Sequence, residues 1–359
     1  MGTRTDNGHL LLTQQDPLSR AVAWRQGFDV GLAADDTIMS VPVYMTGIST
    51  QVDVPADVVP ILNYNGEGYG QFVIDDSSMP VLARGWQTMP DDLNRYAAVM
   101  NLYENFCMGN VAADSLFSVF IEYLAHERNQ LIASTLCSDI AALLPHLDGA
   151  KRRDAENSLF QLALHHELRS VTQSLVRHLS ATALDISQVE EIWAADSPLY
   201  NDRDRMRMAY HLAIMQPDRW QEILSTQRNR FKTEDQRREF DFISRACNPD
   251  TLVQQQLFNE LLQAENRRVE PWARDMLALL NDPTREPFNN RYITPGLDAL
   301  VDVQRTGDIF FPGYWLAGLL SGHHSDEAKA LVKQWIGTHA DLEPTLMNKL
   351  KENAYWLLR

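Results

Sequence analysis

Cysteine, positive charge and long hydrophobic runs are all scarce in this chain of 359 residues. The three cysteines, Cys107, Cys137 and Cys247, lie too far apart for a disulfide framework or a zinc ribbon, so we expect buried free thiols. No stretch reaches the roughly 18 consecutive apolar residues of a membrane helix. The first residues, MGTRTDNGHLLLTQQ, lack the charged and apolar regions of a signal peptide. The sequence predicts a soluble chain and leaves its compartment open.

Acidic residues outnumber basic ones, with 48 Asp and Glu against 32 Lys and Arg and a formal net charge of −16. A protein that binds a phosphate backbone needs clustered Lys and Arg, so this balance argues against a nucleic-acid partner. An acidic surface repels polyanions and can attract cationic ligands.

Up to about residue 78, apolar and polar residues alternate, which is the period of half-buried strands. In WRQGFDVGLA (24–33) the apolar set is Phe28, Val30 and Leu32, and SVPVYMT (40–46) repeats the pattern. About six such runs fit, and the last two are VVPILNYN and YGQFVID. The sequence therefore predicts a small β-sandwich domain over residues 1–78.

From residue 79 the apolar period becomes helical. Val99, Leu102 and Phe106, for example, follow one face of a helix. Turns rich in Pro, Asp, Asn and Gly separate segments of about 10–17 residues. Many short helices without a repeat of fixed length indicate an irregular α-solenoid of HEAT or armadillo type. The predicted fold class is mainly α with a small β domain: the N-terminal β-sandwich, then an α-helical superhelix over residues 79–359.

The glycine-rich stretch NGEGYGQFVID (65–75) looks at first like a phosphate-binding loop. A kinase loop reads G-x-G-x-x-G-x-V and is followed by a lysine, but here the third glycine comes one residue early and no lysine precedes Lys151. A dinucleotide loop opens directly into a helix, whereas QFVI is typical of a strand. We therefore predict a hairpin turn at Asn65-Gly66 and no nucleotide site.

Two segments resemble the H-E-x-x-H zinc signature: LAHERNQ (124–130) and LHHELRS (164–170). The signature needs two imidazoles four residues apart on one helical face, and neither segment has the second histidine. His323 and Glu327 have this spacing, but they lie where a helix cap and first turn are predicted. The chain also lacks a G-x-S-x-G nucleophile elbow. We predict no catalytic residue and no metal ligand in this chain.

The stretch QRTGDIFFPGYWL (304–316) separates two helices late in the array. Exposed, Phe310 and Phe311 would form a partner or substrate surface; buried, they would pack neighbouring turns. We expect burial, because large apolar residues usually pack. Arg305 and Asp308 are the polar candidates for a concave face.

These residues resemble the C-terminal half of the zinc aminopeptidase N family. In that family a small β-sandwich meets a helical superhelix at a pattern like N-x(n)-G-Y-Y-R-V-x-Y-D. NYNGEGYGQFVID (63–75) is similar at Gly68, Tyr69 and Asp75, although Gly-Gln replaces the family's Tyr-Arg. Further along, NRYAAVMNLYENFCMGNV, AENRRVEPWARDMLALLNDPTRE and QRTGDIFFPGYWLAGLLSGH look like successive helices of the superhelix.

The resemblance implies a non-catalytic C-terminal fragment of a zinc-dependent aminopeptidase, with the zinc and the catalytic domain expected upstream. Such a fragment would form the chamber that covers the active site and restricts access to peptide N-termini. Its partners would be peptide substrates and the upstream catalytic domain. Arg305 and Asp308 become candidate chamber residues. Gly68, Tyr69 and Asp75 form the structural junction, where we expect Tyr69 to be buried.

A second hypothesis stays open beside this one. A stand-alone α-solenoid can bind a protein or peptide along its concave groove without catalysing any reaction. The gene upstream of Met1 discriminates the two, because only the first hypothesis requires an H-E-x-x-H segment in the same reading frame.

Overall fold

The computed structural model describes residues 2–5, 8–20, 22–197 and 199–359. It is mostly helical, with a small antiparallel sheet region near the N-terminus, which confirms the predicted class of mainly α with a small β domain. The chain divides into two compact units. One extends to Leu179 and includes Ala183–Asp185, and the other comprises Ser180–Thr182 and Ile186–Arg359. The predicted domain boundary at residues 78/79 stays a prediction.

In the described residues of the first unit, six strands form two three-stranded antiparallel sheets. The strands are β1 (Gly2–Thr5), β2 (His9–Thr13), β3 (Gln26–Ala34), β4 (Thr37–Met45), β5 (Ser49–Asp53) and β6 (Val59–Ile61). Their order is β1-β2-β5 in one sheet and β4-β3-β6 in the other. Apolar side chains from both sheets share one core, which contains Leu10 and Leu12 of β2 and Phe28 and Val30 of β3. This shared core is the arrangement of a small sandwich.

The hairpin of β3 and β4 follows the alternation in the sequence. Phe28, Val30 and Leu32 are all buried, and Phe28 pairs in register with Val43 of β4, which is also buried. Gly31 faces the other way, where a Cβ atom would come within 2.9 Å of the Tyr64 ring. The period of two in the sequence therefore correctly predicted which face of the strand is buried.

Nineteen α-helices lie in the described part of the chain after the strands. Up to Thr182 they are α1 (Met79–Ala83), α2 (Gly85–Thr88), α3 (Asp92–Met108), α4 (Ala113–His126), α5 (Gln130–Leu143), α6 (Gly149–His165) and α7 (Arg169–Thr182). Then follow α8 (Ser187–Ala194), α9 (Asp202–Met215), α10 (Trp220–Arg230), α11 (Glu234–Ile243), α12 (Thr251–Leu261) and α13 (Glu270–Leu280). The last are α14 (Ile293–Asp298), α15 (Leu300–Thr306), α16 (Phe311–Leu320), α17 (Asp326–Thr338), α18 (Pro344–Asn353) and α19 (Tyr355–Leu358).

Several helices begin at a capping side chain. Asp250 accepts the Leu252 N–H at 2.8 Å before α12, and Ser325 accepts the Ala328 N–H at 3.2 Å before α17. Each cap satisfies an N–H group that has no partner within the helix. The C-terminus of helix α3 is capped by Gly109, whose φ of 87° suits glycine better than other residues.

The core of the second unit is built from the apolar stripes of its helices. Trp315 of α16 is fully buried, and its indole N–H donates to the Gly296 carbonyl at 2.9 Å. Phe258 of α12 stacks on Tyr292 with 4.4 Å between the ring centroids. Burial of such large side chains supplies most of the driving force that holds short helices together.

One predicted strand is wrong. Residues 71–75 form no strand and pair with none of the described strands. The turn at Asn65-Gly66 does form, with the Gly66 N–H donating to the Asn63 carbonyl at 3.0 Å and a Gly66 φ of 71°. Because no strand follows it, this turn is not a hairpin. The segment docks instead on α3, where the Asn105 side chain accepts the Ile74 N–H and donates to the Phe72 carbonyl.

The described helices include none that is both long enough and apolar enough to cross a membrane. The three cysteines are free thiols. Cys137 and Cys247 are buried as predicted, whereas Cys107 is only partly buried.

Candidate functional site

The junction residues Gly68, Tyr69 and Asp75 lie between the last strand and α1. The Gly68 N–H donates to the Asn63 side chain at 2.7 Å. A Cβ atom at Gly68 would come within 2.5 Å of the Phe72 ring. Tyr69 is 87% exposed, so the expectation that its side chain is buried is wrong.

Asp75 has a local structural role, since it holds the start of α1. Its carboxylate accepts hydrogen bonds from the Ser77 hydroxyl at 2.8 Å and from the Ser78 N–H and hydroxyl at 2.8 and 2.7 Å. Burial disfavours the charged form, but these hydrogen bonds outweigh it and lower the pKa of Asp75. The carboxylate is therefore ionised at neutral pH and committed to the turn.

The histidines of the two segments that resemble a zinc signature lie at the ends of helices. His126 is the last residue of α4 and His165 the last of α6, so no helical turn continues to position i+4. The Nδ1 atom of His126 lies 2.9 Å from the Glu122 carbonyl, and its ring stacks on Trp86 at 3.7 Å. Within the described residues, no group of three or more His, Cys, Asp or Glu side chains could hold a metal ion.

His323 is almost fully buried among polar side chains. Its Nδ1 lies 3.0 Å from the Asn290 Oδ1, and its Nε2 lies 2.9 Å from the Asn281 Oδ1. The nearest carboxylate oxygen belongs to Glu286, at 3.8 Å. Burial lowers the pKa of His323 to about 4, although the charge of Glu286 opposes this shift. Glu327 does not contact the imidazole but accepts from Asn290 at 2.8 Å.

The predicted polar candidates Arg305 and Asp308 flank the turn between α15 and α16. Arg305 is exposed and donates to the Asp302 carboxylate at 2.5 Å. The Asp308 carboxylate accepts the N–H groups of Phe310 and Phe311 at 2.7 and 2.8 Å, so it caps the start of α16. Both side chains thus have local partners, and a role in binding substrate stays a prediction.

Arg267, which the sequence did not single out, organises this turn. It is buried, and it donates from Nη1 to the carbonyls of Leu261 and Leu262 at 3.0 and 2.7 Å. From Nη2 it donates to the Asp302 carboxylate at 2.7 Å. Asp302 therefore lies between two arginines, and hydrogen bonds from Arg267 and Arg305 lower its pKa.

A cavity of about 400 Å³ opens beside Arg267. Its other lining residues are Ala264, Glu265, Arg268, Glu270, Thr306, Gly307 and Phe311. The Glu270 carboxylate holds the backbone beside the cavity in place, because it accepts the Asp308 N–H at 2.8 Å. Gly307 is required where it lies, since a Cβ atom there would come within 2.9 Å of the Glu270 Oε1. The cavity is lined by charges of both signs.

The apolar residues of the turn divide between core and surface. Phe311 is buried, as predicted, whereas Phe310 is 64% exposed, so the expectation of burial is wrong for that residue. Ile309 is also exposed, and so is Tyr314, which lies 5.6 Å from the guanidinium of Arg274. The cavity thus adjoins a small exposed apolar surface formed by Ile309, Phe310 and Tyr314.

No protein-family model matches the chain, and no curated protein sequence matches it. Among solved structures, the fold is similar to that of aminopeptidase A from Legionella pneumophila, solved in complex with aspartic acid. The TM-score is 0.50 at 10% sequence identity, and the match covers 99% of this chain and 48% of that one. The chain therefore spans about half the length of the aminopeptidase that it matches, and it shares the fold of that half.

Proposed function

We propose that this chain is a non-catalytic portion of a zinc-dependent aminopeptidase and forms a wall of the chamber over its active site. The carrying observation is the structural match, because nearly the whole chain aligns with about half of an aminopeptidase. The sequence resemblance to the zinc aminopeptidase N family supports the same assignment independently. The zinc and the residues that activate water would then belong to another part of the protein.

Such a wall would control which molecules reach the active site and how a peptide lies within it. Peptides with a free N-terminus would reach the metal, while folded proteins would be kept out by the surrounding helices. The net charge of −16 favours attraction of a cationic N-terminal amine. The exposed surface of Ile309, Phe310 and Tyr314 offers apolar contacts to a peptide.

The test has two arms. In the first, the reading frame upstream of codon 1 is determined, and we expect it to encode H-E-x-x-H in frame. An upstream stop codon without such a segment would contradict the proposal and favour the free-standing peptide-binding scaffold.

In the second arm, the purified chain is incubated with zinc and the p-nitroanilides of alanine, leucine, arginine, aspartate and glutamate. We expect no release above the buffer control, because the chain would lack the catalytic domain. Hydrolysis that copurifies with the chain and is abolished by a chelator would show that the chemistry lies within these residues.

A further inference from the structure

A second cavity, of about 420 Å³, lies in the second unit, away from the Arg267 turn. Its wall is mainly apolar, with Ile214 and Met215 from the end of α9 and Phe288 from the segment before α14. The remaining lining residues are Cys247, Pro249, Thr251, Gln254, Thr284 and Arg285. A volume of this size is within the range of small-molecule sites in proteins.

Among the described residues that line this cavity, Arg285 is the one cation, and it has few hydrogen-bond partners. Its Nη1 donates to the Leu279 carbonyl at 2.9 Å, and no carboxylate oxygen of the described residues lies within 4.0 Å of its guanidinium. The Asp282 carboxylate interacts with the Arg285 guanidinium only electrostatically, from beyond hydrogen-bond distance. Burial lowers the pKa of Arg285, which shows that its surroundings solvate the cation poorly.

Three arginines with little exposed side-chain surface differ from the half-buried Arg285 in this respect. Arg95 pairs with Glu127 at 2.9 Å, Arg205 with Asp196 at 2.9 Å and Arg267 with Asp302 at 2.7 Å. A guanidinium withdrawn from water is costly unless a charge and hydrogen bonds compensate for the lost solvation. Arg285 is therefore a cation beside an open cavity that lacks its anion.

We propose that this cavity binds an organic carboxylate whose apolar group fills the space between α9 and Phe288, with Arg285 as the counter-charge. A guanidinium matches a carboxylate in geometry and can donate two parallel hydrogen bonds to it. A single cation balances one negative charge, and the nearby carboxylate of Asp282 disfavours a dianion such as phosphate.

Cys247 contributes to this site as part of the apolar wall. Burial raises the pKa of its thiol to about 12, so it remains protonated at neutral pH and is not a nucleophile. Its sulfur lies 3.8 Å from the Tyr210 carbonyl. The ligand is thus held without a covalent bond.

Two sources could supply this chemistry: a free carboxylic acid, or the C-terminal residue of a peptide. Calorimetry on the whole chain distinguishes them with N-acetyl-leucine and an N-acetylated pentapeptide that ends in leucine. Binding of either supports the site, and the tighter of the two identifies the source. N-acetyl-leucinamide has the same apolar group without the charge, and we expect it to bind at least about tenfold more weakly.

Variants test the residue assignment. Arg285→Met should abolish measurable binding of N-acetyl-leucine, whereas Arg207→Met, which removes an exposed arginine of the same unit, should leave it unchanged. Without ligand, Arg285→Met should not lower the melting temperature, because it removes an uncompensated cation. Ile214→Trp keeps the cation but fills the cavity, and should also prevent binding. Equal affinity for acid and amide, undiminished affinity in Arg285→Met, or no binding of either acid would overturn the proposal.

Discussion

The Asn105 side chain hydrogen-bonds the backbone of the Phe72 segment as a neighbouring strand would. Its Nδ2 donates to the Phe72 carbonyl at 2.8 Å, and its Oδ1 accepts the Ile74 N–H at 3.0 Å. Asn101 and Asn94, on the same face of α3, donate to the carbonyls of Leu62 and Tyr64 at 3.0 and 2.8 Å. Three asparagines of one helix thus fix the path by which the chain leaves the sheets.

Replacement of Asn105 by alanine should therefore destabilise the first unit by about 3 kcal/mol. The substitution leaves the Phe72 carbonyl and the Ile74 N–H without their buried partner, and each unsatisfied group costs about 1–3 kcal/mol. Chemical denaturation of the parent and of N105A measures the difference. Asn94→Ala, which removes one hydrogen bond at a more exposed position, should cost about 1 kcal/mol. A loss for N105A no larger than that for N94A would contradict the role of Asn105.

Tyr69→Ala should change the free energy of unfolding by less than about 0.5 kcal/mol, because its side chain is 87% exposed. A buried tyrosine, as the sequence led us to expect, would instead lose about 3 kcal/mol on truncation to alanine. The same denaturation experiment decides between the two values. A loss above about 2 kcal/mol would show that the tyrosine packs against the protein after all.

The difference at Tyr69 shows what the sequence could and could not predict. Periodicity predicted the buried face of β3 and the apolar stripe of α3, because both depend on residues close together in the chain. It could not predict that the run QFVID lacks a strand partner, since that depends on Asn105, about thirty residues further on. Arg267 was missed for the same reason, as its carboxylate partner Asp302 lies on another helix.

Gly307→Ala should destabilise the second unit by about 1–3 kcal/mol, because the new methyl group would come within 2.6 Å of the Phe311 ring. Gly313→Ala is the matched control, since nothing lies within 4 Å of a Cβ atom there. Alanine favours a helix over glycine, so the control should be neutral or stabilising by up to about 1 kcal/mol. Melting temperatures of the two variants provide the comparison. Equal melting temperatures would show that the turn adapts to a side chain.

The shared carboxylate of Asp302 predicts a pH dependence. Its pKa is lower in the folded chain than the ordinary 3.8, so its stabilisation is present above that value and is lost as the pH falls through the folded pKa. Asp302→Asn should therefore lower stability at pH 7 by about 1.5–3 kcal/mol, because it leaves the buried Arg267 cation without its charged partner, and the difference from the parent should shrink below about pH 4. Asp218→Asn, at an exposed position of the same unit, serves as the control. A difference that stays constant down to pH 3 would exclude the ionised carboxylate as its cause.

His323 predicts a second loss of stability on acidification, in a higher pH range than that of Asp302. Its pKa falls to about 4 in the folded chain, so the unfolded chain takes up the proton first on acidification. Stability should decrease between about pH 6.5 and pH 4, by about 3 kcal/mol in total, and level off below that range. NMR titration of the imidazole measures the pKa directly. Titration at or above 6.5 would show instead that the imidazolium is the resident form, with both ring N–H groups donating to the two amides.

The asparagines of α3 also have a consequence for how molecules of this chain meet one another. An extended segment with free backbone groups is a template on which another chain can add a strand, which leads to aggregation. The Phe72 carbonyl and the Ile74 N–H already form hydrogen bonds with Asn105. These two backbone groups are therefore not free to pair with a strand of another chain. A side chain, rather than a further strand, thus protects this stretch from joining copies together.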